Sequence, residues 1–193
     1  MNMNSTNNIT GAMSQLVNSL CKHKVEVTAD EGMASVTIIV SPHASDYGKV
    51  IGGGGENLKA LNIIARAMAA KNGFAECDLI VPPQNNSPVP GIRFAMDPAW
   101  DNQALENLAV QVAAELFDGQ IRIEWRKLTV DNSRLMMVVD NLPDAPGYPR
   151  FYEIAGALGR ILGGVALSQG HRVKFELATI EYNEKLSEPG AKI

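Results

Sequence analysis

Four consecutive glycines, Gly52 to Gly55, lie between the apolar pair Val50-Ile51 and a segment, Glu56 to Lys71, in which Leu58, Leu61, Ile64, Ala65 and Met68 recur at helical spacing. Glycine inside a helix costs about 1 kcal/mol against alanine, so such a run does not belong in a regular element. It marks a turn whose backbone takes positive φ or admits close neighbours. One glycine suffices for a simple turn. Four in line at the start of a helix fit a loop that presents N–H groups at the positive end of the helix dipole, a seat suited to phosphate. Two familiar phosphate loops are excluded. No Lys-Ser or Lys-Thr follows Gly55, and Glu56 would repel a γ-phosphate, which rules out a nucleoside-triphosphate loop. The loop does not follow a strand directly, which rules out a dinucleotide fingerprint.

Upstream, the spacing predicts a helix from Thr10, its N-cap, to about Cys21, with Met13, Leu16, Val17 and Leu20 inward. Residues 1–8 are polar and read as a disordered tail. With neither a basic n-region nor an apolar h-region, they are not expected to be a signal peptide. Lys24 to Thr28 alternates as a strand, Ala29 to Gly32 turns, and Ser35 to Val40 forms a second strand stopped by Pro42. A short helix, Tyr47 to Ile51, leads into the glycines. The long helix behind them ends at Gly73 as its C′ residue, and Glu76 to Val81 is a third strand. Pro82 to Pro90, rich in proline and amides, reads as a linker.

The remainder repeats this order. Asp97-Pro98 opens a helix to about Phe117, with Leu105, Leu108, Val112 and Leu116 inward and Gly119 as its stop. Gln120 to Trp125, extending to Val130, is a strand; Asp131 to Ser133 turns; Arg134 to Val139 is the next strand. A helix from about Phe151 to Ser168 ends at Gly170, and Arg172 to Leu177 closes the unit. Laying Gly73 on Gly170 also lays Leu61 on Leu158 and Ile64 on Ile161, which reads as an internal duplication. The second copy has Asp144 to Tyr152 where the first has its loop, with Pro146 and Pro149 against a short helix and no glycine run. Gly156, Gly159 and Gly163 fall near one face of the last helix and predict close approach by another helix, from the first copy or from a second chain.

Residues about 12–81 resemble the small bacterial KH-domain RNA-binding proteins of type II topology. The resemblance rests on Gly48-Lys49-Val50-Ile51-Gly52-Gly53-Gly54-Gly55, then Leu58, Leu61 and Ile64, and on the element order helix, strand, strand, short helix, loop, helix, strand. It implies an α+β fold, a three-stranded sheet backed by three helices, with a groove for about four nucleotides beside the loop. By this resemblance Gly52, Gly53, Gly54 and Gly55 meet the sugar-phosphate backbone, and Val50, Ile51 and Leu58 form or support an apolar floor under the bases. The middle loop positions of the family are usually polar with at least one basic residue; here they are Gly53 and Gly54. The family proteins are usually single-domain, whereas this chain carries a second half.

The expected organisation is a tail over 1–8, a KH domain over 9–81, a linker over 82–90, a degenerate KH-like domain without the loop over 91–183, and a tail over 184–193. The net charge is −4, which excludes binding of nucleic acid by bulk charge. Lys49 and Lys59 lie within reach of the loop, and with these two cations log K should fall with log salt at a slope of roughly −1 to −2. Asn62 and Arg66 continue the Lys59 stripe as a solvated face. The basic residues of the second half, Arg160 among them, are interspersed with more numerous acidic ones and read as solvated surface. His23, His43 and His171 show neither metal-ligand nor triad spacing, and Cys21 and Cys77 form no pair, which suits a reducing cytoplasm. No catalytic residue, cofactor or metal site is expected, and no apolar run is of membrane-spanning length. The expected partner is single-stranded RNA, or single-stranded DNA, held without catalysis, with a homodimer or another KH protein as a protein partner. The alternative is a protein–protein assembly module on the same scaffold.

Overall fold

The computed structural model describes residues 3–83, 102–117, 121–129, 132–139, 149–169, 171 and 173–179. Helix α1 (Met3–Leu20) leads to strands β1 (Glu26–Glu31) and β2 (Ser35–Ser41). A single 3-10 turn, Ala44–Asp46, runs into α2 (Tyr47–Ile51); a second, Gly53–Gly55, runs into α3 (Glu56–Lys71), and β3 (Glu76–Ile80) follows. The sheet order is β1-β2-β3, with β1 antiparallel and β3 parallel to β2. Val36, Ile38 and Val40 of β2 and Cys77 and Leu79 of β3 point into the core, as the period of two requires. The first half is thus an α+β unit of one three-stranded sheet and helices.

In the first half, two boundaries differ from expectation by three residues or more. Residues 3–8, expected as tail, are helical. Ile9 is 1% exposed and extends the buried stripe of Ala12, Met13, Leu16, Val17 and Leu20 by one turn, which anchors the helix upstream of Thr10. Thr10 is therefore not a cap; its hydroxyl donates back to the Thr6 carbonyl at 2.9 Å. β1 also runs through Ala29 to Glu31, because Glu31 still pairs with Val36, and the turn tightens to Gly32–Ala34 with the Gly32 N–H bonded to the Ser35 carbonyl.

Farther along are α4 (Asn102–Leu116), β4 (Ile121–Thr129), β5 (Asn132–Val139), α5 (Pro149–Ser168) and β6 (Val173–Thr179). Their sheet has the order β4-β5-β6, again antiparallel then parallel. Leu158 and Ile161 are fully buried, as are Leu61 and Ile64. The ends of the long helices also correspond: Phe74 N–H donates to the Ala69 carbonyl, and His171 N–H to the Ala166 carbonyl. These are equivalent positions once Gly73 is laid on Gly170. The linker from residue 84 on, the start of the expected fourth helix at Asp97, the segment 140–148 and the tail 184–193 lie outside the described residues.

The helices of both halves share one hydrophobic core. α3 packs on β3 and on α5, and α5 on α3 and β6, so the layers run sheet, helices, helices, sheet. The Lys71 ammonium at the end of α3 also ties it to α4, donating to the Ala114 and Phe117 carbonyls at the end of that helix, at 3.1 and 3.3 Å. The glycine stripe of α5 is used otherwise than its spacing suggests. A Cβ on Gly159 would overlap the Phe175 ring of β6, and one on Gly163 would lie 3.8 Å from the Val173 carbonyl, so these two serve the helix's own sheet. Gly164 is the close approach to the first half, where a Cβ would stand 3.1 Å from Leu20 Cδ2. Gly156 faces open space.

Asp46 fixes the short helix that carries the loop. Its carboxylate is buried; Oδ2 accepts the N–H groups of Lys22 and His23 and contacts His23 Nδ1 at 2.8 Å, while Oδ1 meets Lys49 Nζ at 2.9 Å. It therefore ties the chain leaving α1 to the start of α2. Burial raises its pKa, but the Lys49, His23 and Lys22 donors outweigh burial and hold it well below the usual carboxylate range. A depressed pKa in the fold stabilises it above the unfolded value near 3.8, and the stabilisation is lost as the pH falls below that value.

Two predictions follow from these placements. Gly156→Ala should stabilise the protein by about 0.5–1 kcal/mol, whereas Gly159→Ala should destabilise it by about 1–2 kcal/mol as overpacking outweighs the helix gain; chemical denaturation reads both. Asp46→Asn should cost roughly 2–4 kcal/mol at neutral pH and flatten the fall of the thermal midpoint between about pH 4 and 2.

Candidate nucleic-acid interface

The glycine turn is built by its φ angles. Gly52 takes φ 73°, ψ 168°, Gly54 φ 63° and Gly55 φ 78°, values side-chain-bearing residues rarely adopt. Gly53 keeps an ordinary φ. Gly52 is also required sterically, since a Cβ there would run into Asn57 Cγ, Cβ and N at 2.7–2.9 Å. Asn57 in turn donates its side-chain amide to the Lys49 carbonyl at 2.8 Å, closing the end of α2 onto the first turn of α3.

The loop amides are partly satisfied within the turn. Gly52 N–H donates to the Gly48 carbonyl at 2.8 Å and Gly55 N–H to the Gly52 carbonyl at 3.2 Å. Gly53 and Gly54 form the exposed apex, and a Cβ on Gly53, Gly54 or Gly55 would meet nothing within 4 Å. Among the described residues, none of the second half covers the apex.

The sequence-expected site residues fall into three groups around this turn. Val50 is fully buried and supports α2 from the core side, while Ile51 and Leu58 are half-buried beside the loop. Lys49 is only 15% exposed and pairs with Asp46, so its charge is already compensated. Lys59 is well exposed and pairs with Glu56 at 3.1 Å. Glu56 has a second cation, Arg160 Nη2, at 3.7 Å from its other oxygen. Lys59 first, and then Arg160, lowers the Glu56 pKa.

Three contributors escaped the sequence reading. Asn57 had a local signal, an amide in the first turn after the glycines, matching the demand for a cap on the preceding helix. Asp46 reads in the sequence as a cap for α2, but its side chain makes no cap bond there and is turned to the end of α1 instead. Arg160 had no sequence signal, because the α3–α5 packing brings it to the loop. Arg66 stays on the solvated face expected of it, its side chain 62% exposed, while Nε donates to the Cys77 carbonyl at 3.2 Å and Nη2 lies 3.7 Å from Asp78.

Among the described residues, the remaining chemistry-bearing groups form no catalytic triad. His23, His43, Ser45 and Asp46 do meet, with the two imidazoles 4.3 Å apart. However, both Asp46 and Ser45 address the same nitrogen, His23 Nδ1, at 2.8 and 3.3 Å, so no proton relay passes through the ring from carboxylate to hydroxyl. Burial pushes the Cys21 thiol up to about 12 and the Cys77 thiol up to about 11, with Asp46 and Asp78 respectively adding to the rise, so neither is a nucleophile at neutral pH. Among the described residues no cluster of three or more His, Cys, Asp and Glu could hold a metal ion, and no helix is long and apolar enough to cross a membrane.

A comparison with curated proteins finds no match to the chain. Residues 10–81 match the family model of the KhpA/KhpB KH domain, a span that opens inside α1 and closes one residue after β3. It contains the glycine turn, the short helix before it and the long helix behind it, on the sheet order described above. Residues 10–81 are therefore a KH domain of the KhpA/KhpB type.

Proposed function

We propose that the chain binds single-stranded RNA, or single-stranded DNA, without catalysis, at the glycine loop of its KH domain. The observation that carries this reading is the open apex at Gly53-Gly54, in front of a sixteen-residue helix whose dipole favours an anion. Gly52 and Gly55 shape the turn through their own hydrogen bonds, and Gly53 and Gly54 meet the sugar-phosphate backbone. Ile51 and Leu58 border the bases and Val50 supports them from the core. Lys49 holds α2 through Asp46, and Lys59 supplies charge to the ligand. With two loop amides already bonded and no side-chain charge at the apex, affinity is weak to moderate and sequence preference slight.

The second half, over 91–183, acts as a degenerate KH-like copy whose helices complete the core of the first. Its repeated sheet order and matching helix ends support this reading. The protein works in the cytoplasm, where two unpaired thiols persist.

One observation favours the alternative of an assembly module: the expected loop cations Lys49 and Lys59 are each paired to a carboxylate. Gly53 separates the two readings, since its φ is ordinary and its surroundings are empty. Gly53→Asp should weaken binding of a short, randomised single-stranded RNA by about tenfold, and Gly53→Lys should tighten it by about threefold to tenfold, both at unchanged stability. Equal binding by the wild type and both variants, or no binding by any, favours the assembly reading.

A further inference from the structure

We propose that Arg160, carried on α5 in the second half of the chain, is a phosphate-binding residue of the glycine-loop site, acting with Lys59, and that Glu56 stands between them as an internal substitute for that phosphate. The proposal rests on the reading that the loop holds RNA, and it adds the contact next to the loop.

Two cations from different helices converge on one anion, one residue beyond Gly55. Glu56 Oε1 lies 3.1 Å from Lys59 Nζ, and Oε2 lies 3.7 Å from Arg160 Nη2. A phosphodiester presents two non-bridging oxygens with the same charge and a comparable span. The arginine fork suits such a group better than it suits a single oxygen. All three side chains are well exposed, at 69% for Lys59, 47% for Arg160 and 43% for Glu56. Exposed pairs of this kind are weak and screened by solvent, so a phosphate can displace the carboxylate at little cost.

The helix carrying Arg160 is built to reach this place. Gly164, one turn farther on, lets α5 lie against Leu20, and its missing Cβ would also stand 3.8 Å from Asn57 Nδ2, the amide that closes the loop. Gly156, one turn earlier on the same face as Arg160, is exposed with open space around it, so a polynucleotide leaving the loop along α5 meets no side chain there. The nearest described acidic residue on that stretch is Glu153, seven residues or about 10 Å away along the axis. The site is therefore composite. The first half supplies the turn and one cation, and the second half supplies the other cation.

The test uses the full chain and a short single-stranded RNA of randomised sequence, with affinity measured across a salt series. Lys59 and Arg160 together predict a slope of log K against log salt near −1.4, at about −0.7 per cation on single strands. Arg160→Gln should weaken binding by about threefold to tenfold and bring the slope near −0.7, and Arg160→Lys should restore the slope. Glu56→Gln should tighten binding by a similar factor. Thermal midpoints should be nearly unchanged in all three, which separates lost contact from lost fold. If Gly53→Asp weakens binding while Arg160→Gln leaves both affinity and slope at wild-type values, the Arg160 assignment is overturned and the loop reading stands. If Gly53→Asp also changes nothing, the loop reading falls and the Arg160 assignment with it.

Discussion

The contact between Gly52 and Asn57 is the constraint on which the rest of the site depends. Gly52 must reverse the chain at φ 73° while the Asn57 backbone and side chain press against the place where a Cβ would sit. The same Asn57 amide reaches back to the Lys49 carbonyl. A residue with a side chain at 52 would suffer both positive-φ strain and a backbone collision that no rotamer relieves. Gly53 is under neither demand and Gly55 only under the first. The four glycines are thus unequal: one is a packing requirement, two satisfy torsion, and one is a free position at the tip.

Electrostatics around the turn follow a single rule: each of the three described cations near it has a carboxylate partner. Lys49 is held by buried Asp46, and Lys59 and Arg160 share exposed Glu56. Burial separates the two arrangements physically. Asp46 is fixed by four donors and its loss leaves desolvated groups unpaired, so it belongs to the scaffold. Glu56 is screened by solvent and its interactions can be exchanged for those of another anion. A chain with a net charge of −4 can therefore still present local positive charge to a phosphate, but only after giving up an internal contact.

Much of this was legible in the sequence because the signals were local. The glycine run, the apolar stripe at Leu61, Ile64 and Met68, and the Gly73 stop fixed α3 to the residue. Periodicity failed where a single buried side chain outweighed local propensity, as when Ile9 drew α1 upstream of its expected cap. It failed also for the α5 glycines: spacing identified a smooth face but could not say whether its neighbour was a ring on the helix's own sheet or a leucine in the other half. The site followed the same division. The turn was visible; Arg160 was not, since nothing in a helix-borne arginine tells which other helix it will lie across.

The shared core bears on what the second half contributes to the first. α3 packs most extensively on β3 on one side and α5 on the other, with α1, α2 and α4 also against it. Were α5 absent, the buried face formed by Leu20, Leu61, Ile64 and their neighbours would lose part of its cover, and exposing even one such side chain costs about 1.5–3 kcal/mol. The second half therefore cannot be an independent bead on a string, whatever it binds. At the far end of α3, Lys71 caps α4 of the second half, and at the near end Gly164 of α5 meets Leu20 and Asn57. The near end is also where the glycine turn sits. Any shift of α5 along α3 would thus be felt at Asn57, and so at the carbonyl of Lys49 that it holds, which couples the inter-half packing to the geometry of the loop.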